Sequence, residues 1–244
     1  MDSTRDSARG GRKIVIAIDG PAGSGKSTLA SLLARRYGYT NIETGAMYRA
    51  LALKAMQTGL SLDDGEALGA LARGSRIELD PRPEGNRVLL DGHDVTARIR
   101  QQDITDAASR VSVYPAVREW MVERQREIGA GGGIVMEGRD IGTKVFPDAE
   151  VKIFLDAEPE VRGSRRFLQQ PPSTVPEASV LAELHQRDQR DRSRPYSPLV
   201  AAPDAVQIDS THLTLDQVIQ RAVEIIDGRL KLSSEIPKRS EGST

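Results

Sequence analysis

The chain has 244 residues, with 34 lysines and arginines against 35 aspartates and glutamates, a net charge of −1. That length suits one α/β domain carrying an insertion, or two small lobes, with one compact unit expected, and the balanced charge supplies no global field to draw the protein onto nucleic acid or an anionic membrane. The absence of cysteine excludes disulfides, thiolate metal sites and a cysteine nucleophile, three scattered histidines argue against zinc, and no apolar run approaches the ~20 residues of a membrane helix, so a cytoplasmic protein is expected.

Residues 1–12 (MDSTRDSARGGR) lack the apolar segment of a signal peptide and read as a tail. Residues 13–19 (KIVIAID) form a continuous β-branched run without polar alternation, which predicts a strand covered on both faces, as in a parallel sheet. Directly after it, Gly20, Pro21, Ala22, Gly23, Ser24, Gly25, Lys26 and Ser27 fit the pattern G-x-x-x-x-G-K-[ST], with Thr28 inside the helix predicted over 26–37. The glycines let the backbone wrap phosphate oxygens, and the amides and helix N-terminus present positive partial charge to them. Lys26 would reach the β- and γ-phosphates and the Ser27 hydroxyl would bind Mg²⁺. Asp19 either assists the metal through water or caps a turn.

Glu43-Thr-Gly-Ala-Met-Tyr-Arg49 opens a helix predicted over 46–58, with Thr44 as its cap and Tyr48 and Arg49 a turn further in; an ordinary capped helix accounts for the same pattern. Residues 64–105 read as an inserted subdomain, because 76–80 and 87–91 form two strands joined by the turn-forming PRPEGN. A strand over 134–136 runs into Met136-Glu-Gly-Arg-Asp-Ile-Gly-Thr143. Ligands of parallel α/β sheets bind beyond the carboxyl ends of strands, which puts Arg139 and Asp140 in a site. A carboxylate there accepts from the exocyclic amine of cytosine and a guanidinium donates to the ring nitrogen and carbonyl, whereas uracil would set a carbonyl against the carboxylate. A structural Arg–Asp turn pair also satisfies the pattern.

A further strand is expected at 151–155, then a mobile Pro- and Ser-rich connection at 169–179. In RDQRDRSRP, Arg187, Arg190, Asp191 and Arg194 share one helical face, although Pro195 biases Arg194 away from helix. Such a face clamps transferring phosphoryl groups or is simply a solvated charged surface. The last strand is expected at 205–208, and the chain after 226 turns polar and frayed. No fixed-period repeat occurs, and the alternation of strands with helices predicts a mostly parallel, doubly wound sheet. Neither Asn41 nor Asn86 is followed by Lys, so a guanine switch with N-K-x-D is set aside. A nucleic-acid module using 187–194 lacks neighbouring aromatic residues to stack bases. A small-molecule kinase and an ATPase switch with a protein partner remain.

IDGPAGSGKST, ETGAMYRALAL, EGRDIGTKVFPDAEVKIFLDA and RDQRDRSRPYSPL, in that order and at similar separations, resemble bacterial cytidylate kinases, of the P-loop nucleoside monophosphate kinase group, over residues 13–227. The resemblance implies a kinase core (13–63 and 106–227), a monophosphate-binding insertion (64–105), a mobile lid (165–197) and tails at 1–12 and 228–244. It also implies transfer of the γ-phosphoryl group of MgATP to CMP or dCMP. Separately from the resemblance, a monomer is expected. UMP or AMP kinases are the nearest rivals. Carried over by motif, Gly20 to Thr28 hold ATP, and Thr44, Arg139 and Asp140 recognise cytosine. Arg49, Arg118 and Arg139 surround the monophosphate, Ser109, Arg187 and Asp191 line the sugar side, and Tyr48 walls the pocket. Lys26, Arg139, Arg190 and Arg194 neutralise the transferring group. The sequence departs from the family where Glu137 stands for Asp and Thr44 for Ser.

Overall fold

The run at 13–19 becomes strand β1 (Val15–Asp19), the centre of a five-stranded sheet in the order β2 (Thr40–Glu43), β6 (Ile134–Gly138), β1, β7 (Val151–Asp156) and β8 (Val206–Asp209). Every pairing is parallel; β1 is in register with β6 from Val15 opposite Ile134 to Asp19 opposite Gly138. The computed structural model describes residues 13–82, 85–169 and 176–235. The turn residues 83–84, most of the Pro-rich connection, and the segments 1–12 and 236–244 lie outside the described residues.

Both faces of the sheet are covered, which is why its strands read as unbroken apolar runs. Ile14, Ile16 and Ile18 pack with Leu29 and Leu33 of helix α1 (Lys26–Tyr37) and with Val218, Ala222 and Ile226 of α8 (Leu215–Glu235). Ala17, Ile42 and Met136 face the other way, onto Val122 of α5 (Pro115–Gly129) and onto Ile141 and Val145 of a π-helical turn (Ile141–Val145). A second core lies beside this one. It joins α2 (Thr44–Gln57), α3 (Gly65–Arg73), α4 (Gln102–Val111) and the α5 start to a small antiparallel sheet of β3 (Ile77–Arg82), β4 (Gly85–Leu90) and β5 (His93–Asp94). Its centre is Leu51, Leu68, Ile77, Val88, Ile104 and Met121.

The hairpin also finishes the large sheet. Edge strand β2 would otherwise show open backbone groups, and buried Asn86 of β4 fills two of them. Its Oδ1 accepts from the Glu43 amide at 2.9 Å and its Nδ2 donates to the Asn41 carbonyl at 2.7 Å. The remaining helices are α6 (Pro159–Gln169) and α7 (Glu177–Ser193), which pack against each other over the carboxyl ends of β1 and β7. Among the described residues no helix is long and apolar enough to cross a membrane.

Two local expectations change and one holds. Helix α2 begins at Thr44, with Glu43 in the capping position, so Thr44 does not cap it. The Thr44 hydroxyl instead donates to the Glu137 carbonyl at 2.7 Å, tying α2 to β6. The polar tail expected from 228 onward continues as helix to Glu235, because Leu230 extends the stripe of Ala222 and Ile226 at four-residue spacing and packs on the same core. Arg194 falls just outside α7 in an extended conformation, as Pro195 requires.

Candidate active site

The loop between β1 and α1 lies at the carboxyl end of the sheet's central strand, where a parallel sheet concentrates its ligands. Gly20 takes φ 152°, and a Cβ there would collide with the Leu155 carbonyl, so the loop is built around a residue with no side chain. Lys26 is buried at the head of α1, and its ammonium donates to the Pro21 carbonyl at 2.6 Å and contacts Ser24 Oγ at 3.3 Å. Burial lowers its pKa to about 7, and the nearby charge of Arg139 pushes the same way. Ser27 hydrogen-bonds the buried Glu137 carboxylate, whose pKa burial raises, with Glu43 adding to the effect. Asp19 turns out to cap a turn. Its carboxylate accepts from the Ile141 and Gly142 amides, both at 2.7 Å, and burial pushes it up to about 6.

Beyond the loop, strand β6 delivers Arg139 and Asp140 to a pocket of about 60 Å³ lined by Thr44, Tyr48, Ser109, Arg118, Arg187 and Arg194, among others. Arg139 and Asp140 do not pair with each other. Arg139 Nε donates to Asp191 at 2.8 Å, and Asp140 accepts from Arg118 Nη2 at 2.6 Å. Arg118 is 1% exposed, also donates to the Ser112 carbonyl at 3.1 Å, and lies 5.5 Å over the Tyr48 ring. Although burial works against it, Arg139, Arg187 and Arg194 hold the Asp191 carboxyl below the usual carboxylate range. Burial lowers the Arg187 pKa to about 10, with Arg139 acting in the same direction. Arg49 pairs with Glu43 at 2.6 Å on the β2 side.

Several of the buried polar side-chain atoms with no partner lie here. Arg49 Nε, Ser109 Oγ, Arg118 Nε, Glu137 Oε1, Arg187 Nε and Arg194 Nη2 are all buried and unsatisfied. Orphaned donors on several guanidiniums are costly unless an anionic ligand completes them. Two larger spaces flank the pocket. One of about 510 Å³ runs between α4 and α7 and is lined by Ala22, Ser109, Arg166, Arg187 and Arg190. Another, of about 470 Å³, begins at Gly23 to Thr28 and continues past Arg165 to Leu213 and Val218.

The predicted residues Thr44, Tyr48, Arg118, Arg139, Asp140, Arg187, Asp191 and Arg194 thus meet in one pocket with Ser109. Arg49 adjoins it through Gly45, and Lys26 through the charge of Arg139. Arg190 does not join them. It hydrogen-bonds Gln186 of its own helix and faces the 510 Å³ space, because a residue three places past Arg187 points to one side of it. Sequence reasoning missed Ser112, whose contribution is a backbone carbonyl, and the partners Arg162 and Asp188, which lie in polar helices with no local signal. Glu43 and Glu137 stood in the motifs but had been given no role.

Mg²⁺ is a fair match for these donors. Among the described residues no three His, Cys, Asp or Glu side chains converge as a metal cage. The Ser27 hydroxyl beside the unsatisfied Glu137 Oε1 suits a hard cation that takes few protein ligands and completes its shell with phosphate oxygens and water.

The sequence model of the family described as cytidylate kinase matches residues 16–228. Three curated proteins named cytidylate kinase are similar along most of their length. The one from Geobacillus thermodenitrificans is 49% identical over 90% of this chain and 99% of its own. That of Geobacillus kaustophilus is 48% identical with the same coverage, and that of Solibacter usitatus is 46% identical over 90% of this chain and 94% of its own.

Proposed function

The chain belongs to the cytidylate kinase family, and from that premise we propose how its own side chains carry the reaction. It is an ATP-dependent nucleoside monophosphate kinase that transfers the γ-phosphoryl group of ATP to CMP or dCMP, giving ADP and CDP or dCDP. The observation that supports the residue assignment best is the set of unsatisfied, buried guanidinium nitrogens around one pocket next to the phosphate loop.

In this reading Gly20 to Thr28 hold the donor phosphates, and Lys26 leaves the Pro21 carbonyl to reach them. The acceptor phosphate sits among Arg49, Arg118 and Arg139. Cytosine lies against Thr44, Arg139 and Asp140, beside Tyr48, and the sugar faces Ser109, Arg187 and Asp191. Arg194 stands nearest the transferred group. Arg190 is the outermost of the candidates and would reach a phosphate only after α7 moves. Ser27, with Glu137 as its neighbour, would hold Mg²⁺, which would supply positive charge at the donor phosphates. The CMP phosphate is mostly ionised near neutrality because its second pKa is about 6, so an oxygen of it attacks in line without a general base. The arginines and Lys26 neutralise charge spreading over the equatorial oxygens. The same reading makes residues 64–105 the monophosphate-binding part, 165–197 the lid, and the protein a cytoplasmic monomer.

The test is ADP production from ATP and Mg²⁺ with CMP, dCMP, UMP, AMP and GMP supplied singly. Turnover concentrated on CMP and dCMP supports the base-reading role of Arg139 and Asp140. Equal rates with UMP would remove that role, and hydrolysis indifferent to every monophosphate would indicate an ATPase switch instead.

A further inference from the structure

Three parts of the site meet on one side chain that touches neither ligand space directly. Arg162, near the start of α6, is 3% exposed; its guanidinium has close acceptors in three different places, and the Asp156 carboxylate lies 3.9 Å from Nε. Nε donates to the Ala157 carbonyl at 2.8 Å, just beyond the end of β7. Nη1 donates to the carbonyl of Ala22 in the phosphate loop at 3.0 Å. The same Nη1 lies 2.6 Å from Asp188 Oδ2 on α7. The backbones are equally close. A Cβ on Gly23 would come within 2.9 Å of the Arg162 carbonyl, and one on Gly163 within 3.0 Å of Leu181 on α7.

A buried ion pair is a poor device for stability alone, because desolvating both charges cancels most of their attraction. This one has a better use. Asp188 follows Arg187 and lies three residues before Asp191, so whatever fixes Asp188 also fixes the turn that presents those two to the acceptor pocket. At its other end the guanidinium reads the carbonyl of Ala22, inside the loop that wraps donor phosphates. We propose that Arg162 is a positioning residue that couples occupancy of the phosphate loop to the alignment of Arg187 and Asp191 on α7, through Asp188. Donor and acceptor sites then communicate through a side chain that contacts neither nucleotide. The inference rests on the reading that the loop holds the donor and the α7 face holds the acceptor.

Coupling between two sites is measured as the ratio of affinities for one ligand with and without the other. CMP is titrated calorimetrically into the native protein, Arg162→Lys and Asp188→Asn, each with and without Mg²⁺ and a non-hydrolysable ATP analogue. Lysine keeps the charge but cannot satisfy three separated acceptors, and asparagine keeps the shape of Asp188 without its charge. In the native protein the analogue is expected to tighten CMP at least fivefold; in both variants that ratio falls to within twofold of one. A merely structural role would lower the melting temperature and leave the ratio at its native value. An unchanged ratio in both variants, or a native ratio of one, overturns the proposal. Phosphorylation of CMP by the native protein checks the underlying reading separately, so an active enzyme with intact coupling in the variants refutes the coupling role alone.

Discussion

Asp140 illustrates how one carboxylate is asked to do two things. It is 4% exposed and neutralises Arg118 at 2.6 Å, and in the proposed reading it also accepts from the amine of cytosine. Asp140→Asn keeps the size and offers an N–H where uracil has a carbonyl. The ratio of kcat/KM for CMP over UMP is therefore expected to fall at least tenfold, roughly the discrimination that one buried hydrogen bond of 1–3 kcal/mol supplies. Steady-state rates with the two nucleotides measure it, and an unchanged ratio would move base recognition elsewhere. Lys26 carries a different signature. Its folded-state pKa, lowered by burial to about 7, lies below the ordinary value of 10.5. Between those values the unfolded chain holds a proton that the folded chain lacks, so this group favours folding increasingly as pH rises from about 7 towards 10.5, and the contribution is lost as pH falls. Triphosphate beside the ammonium restores its charge. Binding of the ATP analogue at pH 8 should therefore take up protons, seen as a dependence of calorimetric enthalpy on the ionisation heat of the buffer. Lys26→Met should reduce that uptake, and its persistence at the native level would assign the proton to another group.

Among the elements, the inserted hairpin has an anchoring task that its sequence pattern does not announce. Asn86→Ala would leave the Glu43 amide and the Asn41 carbonyl unsatisfied at the edge of β2, at a cost of about 2–3 kcal/mol. Urea unfolding midpoints measure this, and a loss below 0.5 kcal/mol would show that water replaces the asparagine. The same hairpin shows what was legible in advance. Its two strands were visible from the turn-forming PRPEGN between them, and the strand, loop and helix around Gly20 to Lys26 from a buried run meeting a glycine-rich octet, because both signals are local. Helices α3 and α4 and the double core they build with α2 were not located, since their apolar residues find partners far along the chain. The site divides in the same way. Arg139, Asp140 and the arginine face of α7 were picked out by chemistry at a strand end or on a helix face, whereas Ser109 and Arg118 came only from resemblance to the family. Nothing local marks Arg162 or Asp188, which acquire meaning only when α6 and α7 close on the phosphate loop.

At the scale of the whole molecule the pocket of about 60 Å³ shares Ser109 and Arg187 with the space of about 510 Å³ between α4 and α7, so α7 borders both. In the proposed reading the nucleotide spans the two, and the two walls of that cleft differ in how firmly they are held. The wall made by β6, α2, α4 and α5 is welded into the two apolar cores, with Met136, Leu51, Ile104 and Met121 all fully buried. The opposite wall is α7, whose buried residues include only Val180 and Leu184 as apolar anchors and which otherwise holds its place through ion pairs of Asp188 and Asp191. Elements tied down by few apolar contacts open at lower free energy than core strands. Amide hydrogen exchange of the free protein should accordingly be at least a hundredfold faster across 177–193 than across 134–138. Adding CMP with the ATP analogue should slow exchange over 177–193 at least tenfold, because the phosphates complete the guanidiniums that α7 brings to the pocket, and should leave 134–138 unchanged. Equal protection of both segments in the free protein would mean that the nucleotide enters by displacing the α2 and α4 side, and the lid would then have to be sought in the inserted subdomain.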